Sequence, residues 1–174
     1  MGNVKLPVLL SLILVSIISC IHIEKLPPEP SIEFTSFEVF DTTDILGNEI
    51  KGGRLKFYFE DGDGDLGLPP PGPQSTDTVN LFMTLFRKTP SGFVEAPSDD
   101  PLAPSDFRIP YMARPGQNKI LKGTISVTLL YLFYEPGDTI RYEFFIIDRA
   151  ENESNTAVTC TIALDKNGGC TEGS

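Results

Sequence analysis

Residues 124–133 read Thr-Ile-Ser-Val-Thr-Leu-Leu-Tyr-Leu-Phe. In an extended chain Ile125, Val127, Leu129, Tyr131 and Phe133 fall on one face, and Thr124, Ser126, Thr128, Leu130 and Leu132 on the other. Successive side chains of a strand point to opposite faces, so a period of two predicts a strand with one face buried. The β-branched and aromatic content suits a pleated, half-buried surface.

The same period recurs on both sides of this stretch. Residues 54–60 place Leu55, Phe57 and Phe59 together, and residues 79–86 do the same for Val79, Leu81, Met83 and Leu85. Ile140, Tyr142, Phe144 and Ile146 share a face in residues 140–147, as do Val158, Cys160, Ile162 and Leu164 in residues 156–164. A first strand over 32–40 changes phase at Thr35-Ser36, the mark of a bulge. A shorter piece over 107–112 completes about seven strands. Turn signals separate the runs: Gly47-Asn48, Gly52-Gly53, Pro90-Ser91-Gly92, Pro115-Gly116, Glu135-Pro136-Gly137-Asp138 and Asn167-Gly168-Gly169. No stretch after residue 31 carries a 3.6-residue apolar period. The expectation is one all-β domain over 32–174, an antiparallel β-sandwich, with a small barrel or jelly roll as the alternative.

Composition narrows the function. The chain of 174 residues has 14 Lys plus Arg against 24 Asp plus Glu, a formal charge of −10, and a single histidine. That charge excludes nucleic acid as a partner, because phosphates must be neutralised by cations. One imidazole, His22, two residues beyond Cys20, empties the Ser-His-Asp, Cys-His and His-rich metal templates. No catalytic set emerges, and the expectation is that the chain is not an enzyme.

The first residues read as an address. Lys5 precedes an apolar run over 6–18 that has the layout of a signal peptide and is short for a membrane span. Ile17-Ile18-Ser19-Cys20 resembles the bacterial lipobox. The resemblance implies cleavage after residue 19 and covalent lipid, palmitate included, on Cys20, so that the membrane is the first partner. Two or three acyl chains, at ~0.8 kcal/mol per buried methylene, make such an anchor effectively permanent. Residues 20–31, with Leu26-Pro27-Pro28-Glu29-Pro30, read as a semi-rigid tether. The inner-membrane retention signal of such lipoproteins places Asp after the cysteine; Ile21 stands here, so the resemblance implies the outer membrane, with the periplasmic and surface faces both open.

Glu60-Asp61-Gly62-Asp63-Gly64-Asp65-Leu66-Gly67 is the stretch with chemistry. Carboxylates at alternate positions can converge when glycine permits a positive φ, and Ca²⁺ takes 6–8 oxygens. Asp61, Asp63 and Asp65 are therefore candidate ligands for a structural calcium. The EF-hand pattern fails, because Leu66 and Gly72 stand where it needs Gly and Glu. Completion from elsewhere is required, with Asp77, Asp99 and Asp100 as candidates; the same residues also suit a solvated acidic turn.

With Cys20 lipidated, Cys160 and Cys170 form the obvious disulfide of an oxidising compartment. Closing so short a loop is worth roughly 2.5–3 kcal/mol in the chain-entropy picture. Residues 97–115 carry five prolines and read as a long connection, in which Phe107, Tyr111 and Arg114 could meet a glycan or protein; packing of Phe107 and Ile109 as a short edge is the plainer reading.

Two further resemblances complete the expectation. Glu135-Pro136-Gly137-Asp138 through Tyr142, followed by Asp148-Arg149-Ala150-Glu151-Asn152 and Ser154, resembles the closing hairpin of fibronectin-III and Ig-like modules. It departs where Tyr142 falls two residues late and where Glu151 replaces a turn glycine. The Phe59–Gly67 stretch is similar to one near the start of Bacteroidetes outer-membrane lipoproteins. Together these imply an Ig-like, membrane-anchored binding or accessory module whose partner is an outer-membrane β-barrel, another envelope lipoprotein or a glycan. A structural adhesin or envelope spacer and, further off, a glycan-acting hydrolase are the alternatives.

Overall fold

The computed structural model describes residues 26–73, 79–113 and 119–171. The signal peptide, Cys20, the first half of the tether, Asp77 and Arg114 lie outside the described residues. The nine strands are β1 (Ser31–Thr43), β2 (Glu49–Asp61), β3 (Leu81–Thr89), β4 (Gly92–Glu95), β5 (Leu121–Tyr131), β6 (Thr139–Ile146), β7 (Ala157–Val158), β8 (Ile162–Ala163) and β9 (Gly168–Thr171). They form two antiparallel sheets, ordered β5-β2-β1-β9 and β4-β3-β6-β7, with β8 also on β6. The all-β sandwich read from the sequence is what the chain forms.

The core lies between the sheets. Leu55, Phe57 and Phe59 of β2 and Ile140, Tyr142, Phe144 and Ile146 of β6 are buried, as their alternation requires. Phe57 meets Phe144 at 5.2 Å between ring centroids, and Phe37 meets Tyr142 at 6.1 Å. The phase change in β1 is a bulge: its register on β2 shifts between Phe34 and Ser36, so Phe34 and Phe37 both point inward.

Five sequence expectations need correction. Gly52-Gly53 is not a turn but lies inside β2, opposite Phe40 and Val39. A Cβ on Gly53 would stand 2.6 Å from the Phe37 ring and 2.9 Å from that of Tyr131, so glycine is there to let aromatic rings lie on the backbone. Residues 107–112 form no strand; Pro110 lacks the N–H a ladder needs, and the segment makes only single bridges, Phe107 to Leu81 and Pro110 to Leu68. The strand over 156–164 is two short pieces, because side chains take over the ladder between them and beside them: Tyr142 N donates to Thr159 Oγ1 and Ile146 N to Ser154 Oγ. Phe133 does not face the core: β5 ends at Tyr131, and Phe133 is 71% exposed. Among the described residues the count is thus nine strands rather than about seven, the short β4 and β9 being the others not foreseen.

Cys160 and Cys170 lie at disulfide distance with Cα atoms 6.3 Å apart, holding β9 beside β1. Tyr142 is fully buried; its hydroxyl meets that of Tyr131 at 3.1 Å and donates to the Leu102 carbonyl at 3.3 Å. Glu151 adopts φ 68°, the left-handed conformation that the resembling turn assigns to glycine.

Candidate metal centre

β2 runs straight into the acidic loop. Asp61 is its last residue and is fully buried, and its carboxylate accepts hydrogen bonds from Gly64 N at 3.1 Å and Leu66 N at 2.6 Å. These bonds curl the chain around the side chain, and Gly64 supplies the positive φ (68°) the curl needs. Leu66 and Leu68 are buried at the far end and pin the loop to the core.

Three segments distant in sequence enclose this loop. The tether comes first: Gly62 N donates to the Pro27 carbonyl at 3.1 Å, and a Cβ on Gly62 would collide with that carbonyl. The second is the 107–112 segment, through Leu68 N to Ile109 O and Tyr111 N to Leu68 O, both 2.9 Å. Gly67, at φ 91°, packs directly on the Pro110 carbonyl. The turn after β6 is third: Arg149 Nη1 donates to the Gly67 carbonyl at 2.7 Å and its guanidinium lies 5.2 Å from the centre of the Tyr111 ring.

One carboxylate oxygen from each of Asp61, Asp63 and Asp65 lies within 4.8 Å of the other two. Convergence in a partly dry site has an electrostatic cost, visible in the acidities. Burial pushes the Asp61 carboxyl above its ordinary range; the Leu66 and Gly64 amides pull it partly back, and the Asp63 carboxylate raises it further. Asp65 is pushed up to about 6, first by burial and then by the negative charges of Asp148, Asp63 and Asp61, against a weaker opposing pull from Arg149. Asp65 Oδ1 is buried without a hydrogen-bond partner among the described residues. An oxygen in that condition fits a cation better than it fits solvent. The triad could hold a metal ion.

Of the expected completing residues, Asp77 lies outside the described residues, and Asp99 and Asp100 are not at the site. Asp100 is bound to Arg87 at the far end of β3, at 2.5 and 2.8 Å, with Asp138 on the same guanidinium at 2.6 Å. That pairing holds the Asp100 carboxyl below its ordinary range. Asp99 is exposed beside it. The acidic group that the fold does bring near the triad is Asp148, buried and occupied by Ala150 N, Asn152 N and Asn152 Nδ2. In the sequence Asp148 reads only as part of a turn; the signal that could have found it is its place on the hairpin that closes against Asn80 and the loop. Ile147 N donates to the Asn80 carbonyl at 3.0 Å, tying that hairpin to the foot of β3.

The 97–113 segment is mostly core cover, with Leu102 and Ile109 buried, and Tyr111 half exposed under Arg149. A different set of exposed side chains is not evident from the sequence. Ile45 and Leu46 occupy the β1–β2 turn at 101% and 81% exposure, Asp44 closing that turn by accepting from Leu46 N and Asn48 N. Because Lys51 is level with Tyr131, the β1–β2 turn and the exposed Leu132, Phe133 and Tyr134 lie at the same end of the sandwich, opposite the acidic loop. Compared with family models, curated proteins and solved structures, the chain finds no match.

Proposed function

We propose that the chain is a non-catalytic, envelope-anchored binding module. Lipid on Cys20 holds it to the outer membrane, a calcium ion on Asp61, Asp63 and Asp65 stiffens the anchored end, and the opposite end meets a partner. The observation that carries this reading is the polarity of the sandwich. The tether packs on the acidic loop at residue 62, whereas the large exposed apolar side chains Ile45, Leu46, Leu132 and Phe133 gather one β1 length away. Thirteen extended residues span roughly 40 Å. Clustered apolar surface of this kind marks an interaction site rather than ordinary exterior. Aliphatic and aromatic groups on a protruding turn suit a protein partner, an outer-membrane β-barrel or a second lipoprotein, better than a glycan.

A hydrolase fits less well. Retaining glycosidases set their two carboxyls ~5–5.5 Å apart and inverting ones ~6.5–9.5 Å, on facing walls of a cleft. Here three carboxylates offer oxygens within 4.8 Å of one another, in a single turn. Such a cluster supplies the first oxygens of a Ca²⁺ shell, with affinity in the ~0.1–1 mM range of extracellular modules.

The test is a mild-detergent pull-down of the palmitate-labelled protein from its native membrane, alongside the Ile45→Ser/Phe133→Ser variant and Cys20→Ser. The expected result is one stoichiometric membrane protein with the wild type and none with the surface variant, and loss of label with Cys20→Ser. A lipidated protein recovered alone would favour the spacer reading, and a partner retained by the surface variant would overturn the assigned face.

A further inference from the structure

Beside the exposed Leu132, Phe133 and Tyr134 lies a cavity of about 560 Å³. Its walls come from two loops remote in sequence: the turn over 132–138 that follows β5, and Pro101 in the connection after β4. One side chain holds both loops. Arg87, which lines the cavity, donates from Nε and Nη2 to Asp100 at 2.5 and 2.8 Å, and from Nη1 to Asp138 at 2.6 Å. Each carboxylate in turn fixes its own loop. Asp100 accepts from Leu102 N at 2.9 Å, and Asp138 from Glu135 N at 2.7 Å. The cavity is therefore built before anything enters it, which removes an ordering cost from binding.

Its charge is lopsided. Arg87 is the one cation among the lining residues, and Asp100 and Asp138 already neutralise it. Glu135 adds a third carboxylate, exposed at the rim and without an ion pair among the described residues. The lining thus combines aromatic faces with an excess of negative charge, the surroundings that favour an organic cation. A bare metal ion suits it poorly, because several oxygens must converge within ~2.6 Å of such an ion and this space is far larger. An ammonium is a compact, strongly hydrated charge, whereas a guanidinium sheds water more readily, stacks on a ring and bonds a carboxylate through its fork.

We infer that the cavity takes an arginine side chain presented by the protein partner, stacked on the Phe133–Tyr134 wall with its fork on Glu135. The inference rests on the reading that this end of the sandwich meets a partner, and it names the chemistry the partner brings there. Exposed apolar groups around the rim and one cation at the centre make the two features parts of a single surface.

The test is an NMR titration of the full-length protein in mild detergent with N-acetyl-arginine amide, and with N-acetyl-norleucine amide as a neutral probe of similar length. The arginine probe should shift resonances of residues 132–138 and of the segment around Pro101, and the neutral probe should not. Glu135→Gln removes the rim charge from an exposed position and should keep the wild-type melting curve. It is expected to raise the probe's dissociation constant about three- to fivefold. No shift with the arginine probe would overturn the inference, as would equal shifts with both probes or an unchanged constant in Glu135→Gln. The membrane pull-down separates this inference from the reading beneath it. A partner lost with Ile45→Ser/Phe133→Ser but kept at wild-type yield by Glu135→Gln overturns the arginine alone. A protein recovered without any partner overturns both.

Discussion

Asp65→Asn should make the calcium-free protein more stable and abolish its response to calcium. In the absence of a cation Asp65 is a carboxylate forced into partial burial beside Asp148, Asp63 and Asp61, with its acidity moved from 3.8 to about 6. A carboxyl whose folded-state value is raised favours folding when protonated. Its contribution is complete below 3.8 and is lost as pH rises through about 6, so at pH 7 the charge opposes the fold. A displacement of that size corresponds to ~3 kcal/mol; solvent screening at a partly exposed group reduces this to ~1–2 kcal/mol. Asparagine keeps the shape and removes the charge, so the melting temperature in EDTA at neutral pH should rise by about 3–6 °C. Millimolar calcium chloride should raise the wild-type melting temperature and leave the variant where it was. The wild type in EDTA should also melt higher near pH 5 than near pH 7.5. Asp100 does not interfere, since Arg87 holds its carboxyl below its ordinary range and the stability this gives is lost only as pH falls below 3.8. A variant that melts below the wild type in EDTA, or that calcium stabilises equally, refutes the reasoning.

Three further outcomes follow from the same geometry. Gly53→Ala should cost ~2–3 kcal/mol, since its Cβ would meet the Phe37 ring at 2.6 Å and that ring is 1% exposed and cannot retreat. Gly52→Ala should cost visibly less, because the half-buried Phe40 ring can swing outward, and chemical denaturation of the pair separates the two. Glu151→Gly should raise the melting temperature by about 1–3 °C, relieving a side chain at φ 68° at the expense of some added chain entropy. Arg87→Ala should destabilise by ~3 kcal/mol, leaving Asp100 and Asp138, 7% and 14% exposed at their side chains, without their shared cation, whereas Arg87→Met with Asp100→Leu and Asp138→Asn should recover most of the loss.

The parts of the fold visible in the sequence were those that depend on one local rule. Alternation located β2, β3, β5 and β6 because each has one face on the core, and the phase slip at Thr35-Ser36 marked a bulge because a single added residue inverts every later side chain. The failures share a different cause. Paired glycines ordinarily signal a turn, but at 52–53 the deciding fact is three aromatic rings contributed by β1 and β5, which no window around the glycines contains. Phe133 continues the β5 pattern perfectly and is nevertheless outside, because the strand stops at Tyr131 and the chain turns toward Pro136-Gly137. At the acidic loop the convergence of Asp61, Asp63 and Asp65 was legible from spacing alone. Their enclosure by Pro27, Pro110 and Arg149 was not, being made by residues 35 or more positions away in sequence.

β1 has a mechanical consequence. Its first residue follows the segment that packs on the acidic loop and its last leads into the Ile45-Leu46 turn, so a single strand connects the end proposed to face the membrane to the exposed one. Tension between a membrane at one end and a partner gripping that turn would travel along the covalent backbone of Ser31–Thr43 without passing through the packed core. The twelve pairings of β1 with β2 would carry little of that load, because both points of pull lie at the two ends of β1 itself. Asn155, which receives Ile32 N at 2.8 Å and donates to the Ile32 carbonyl at 2.9 Å, acts as a rivet where that pull would begin.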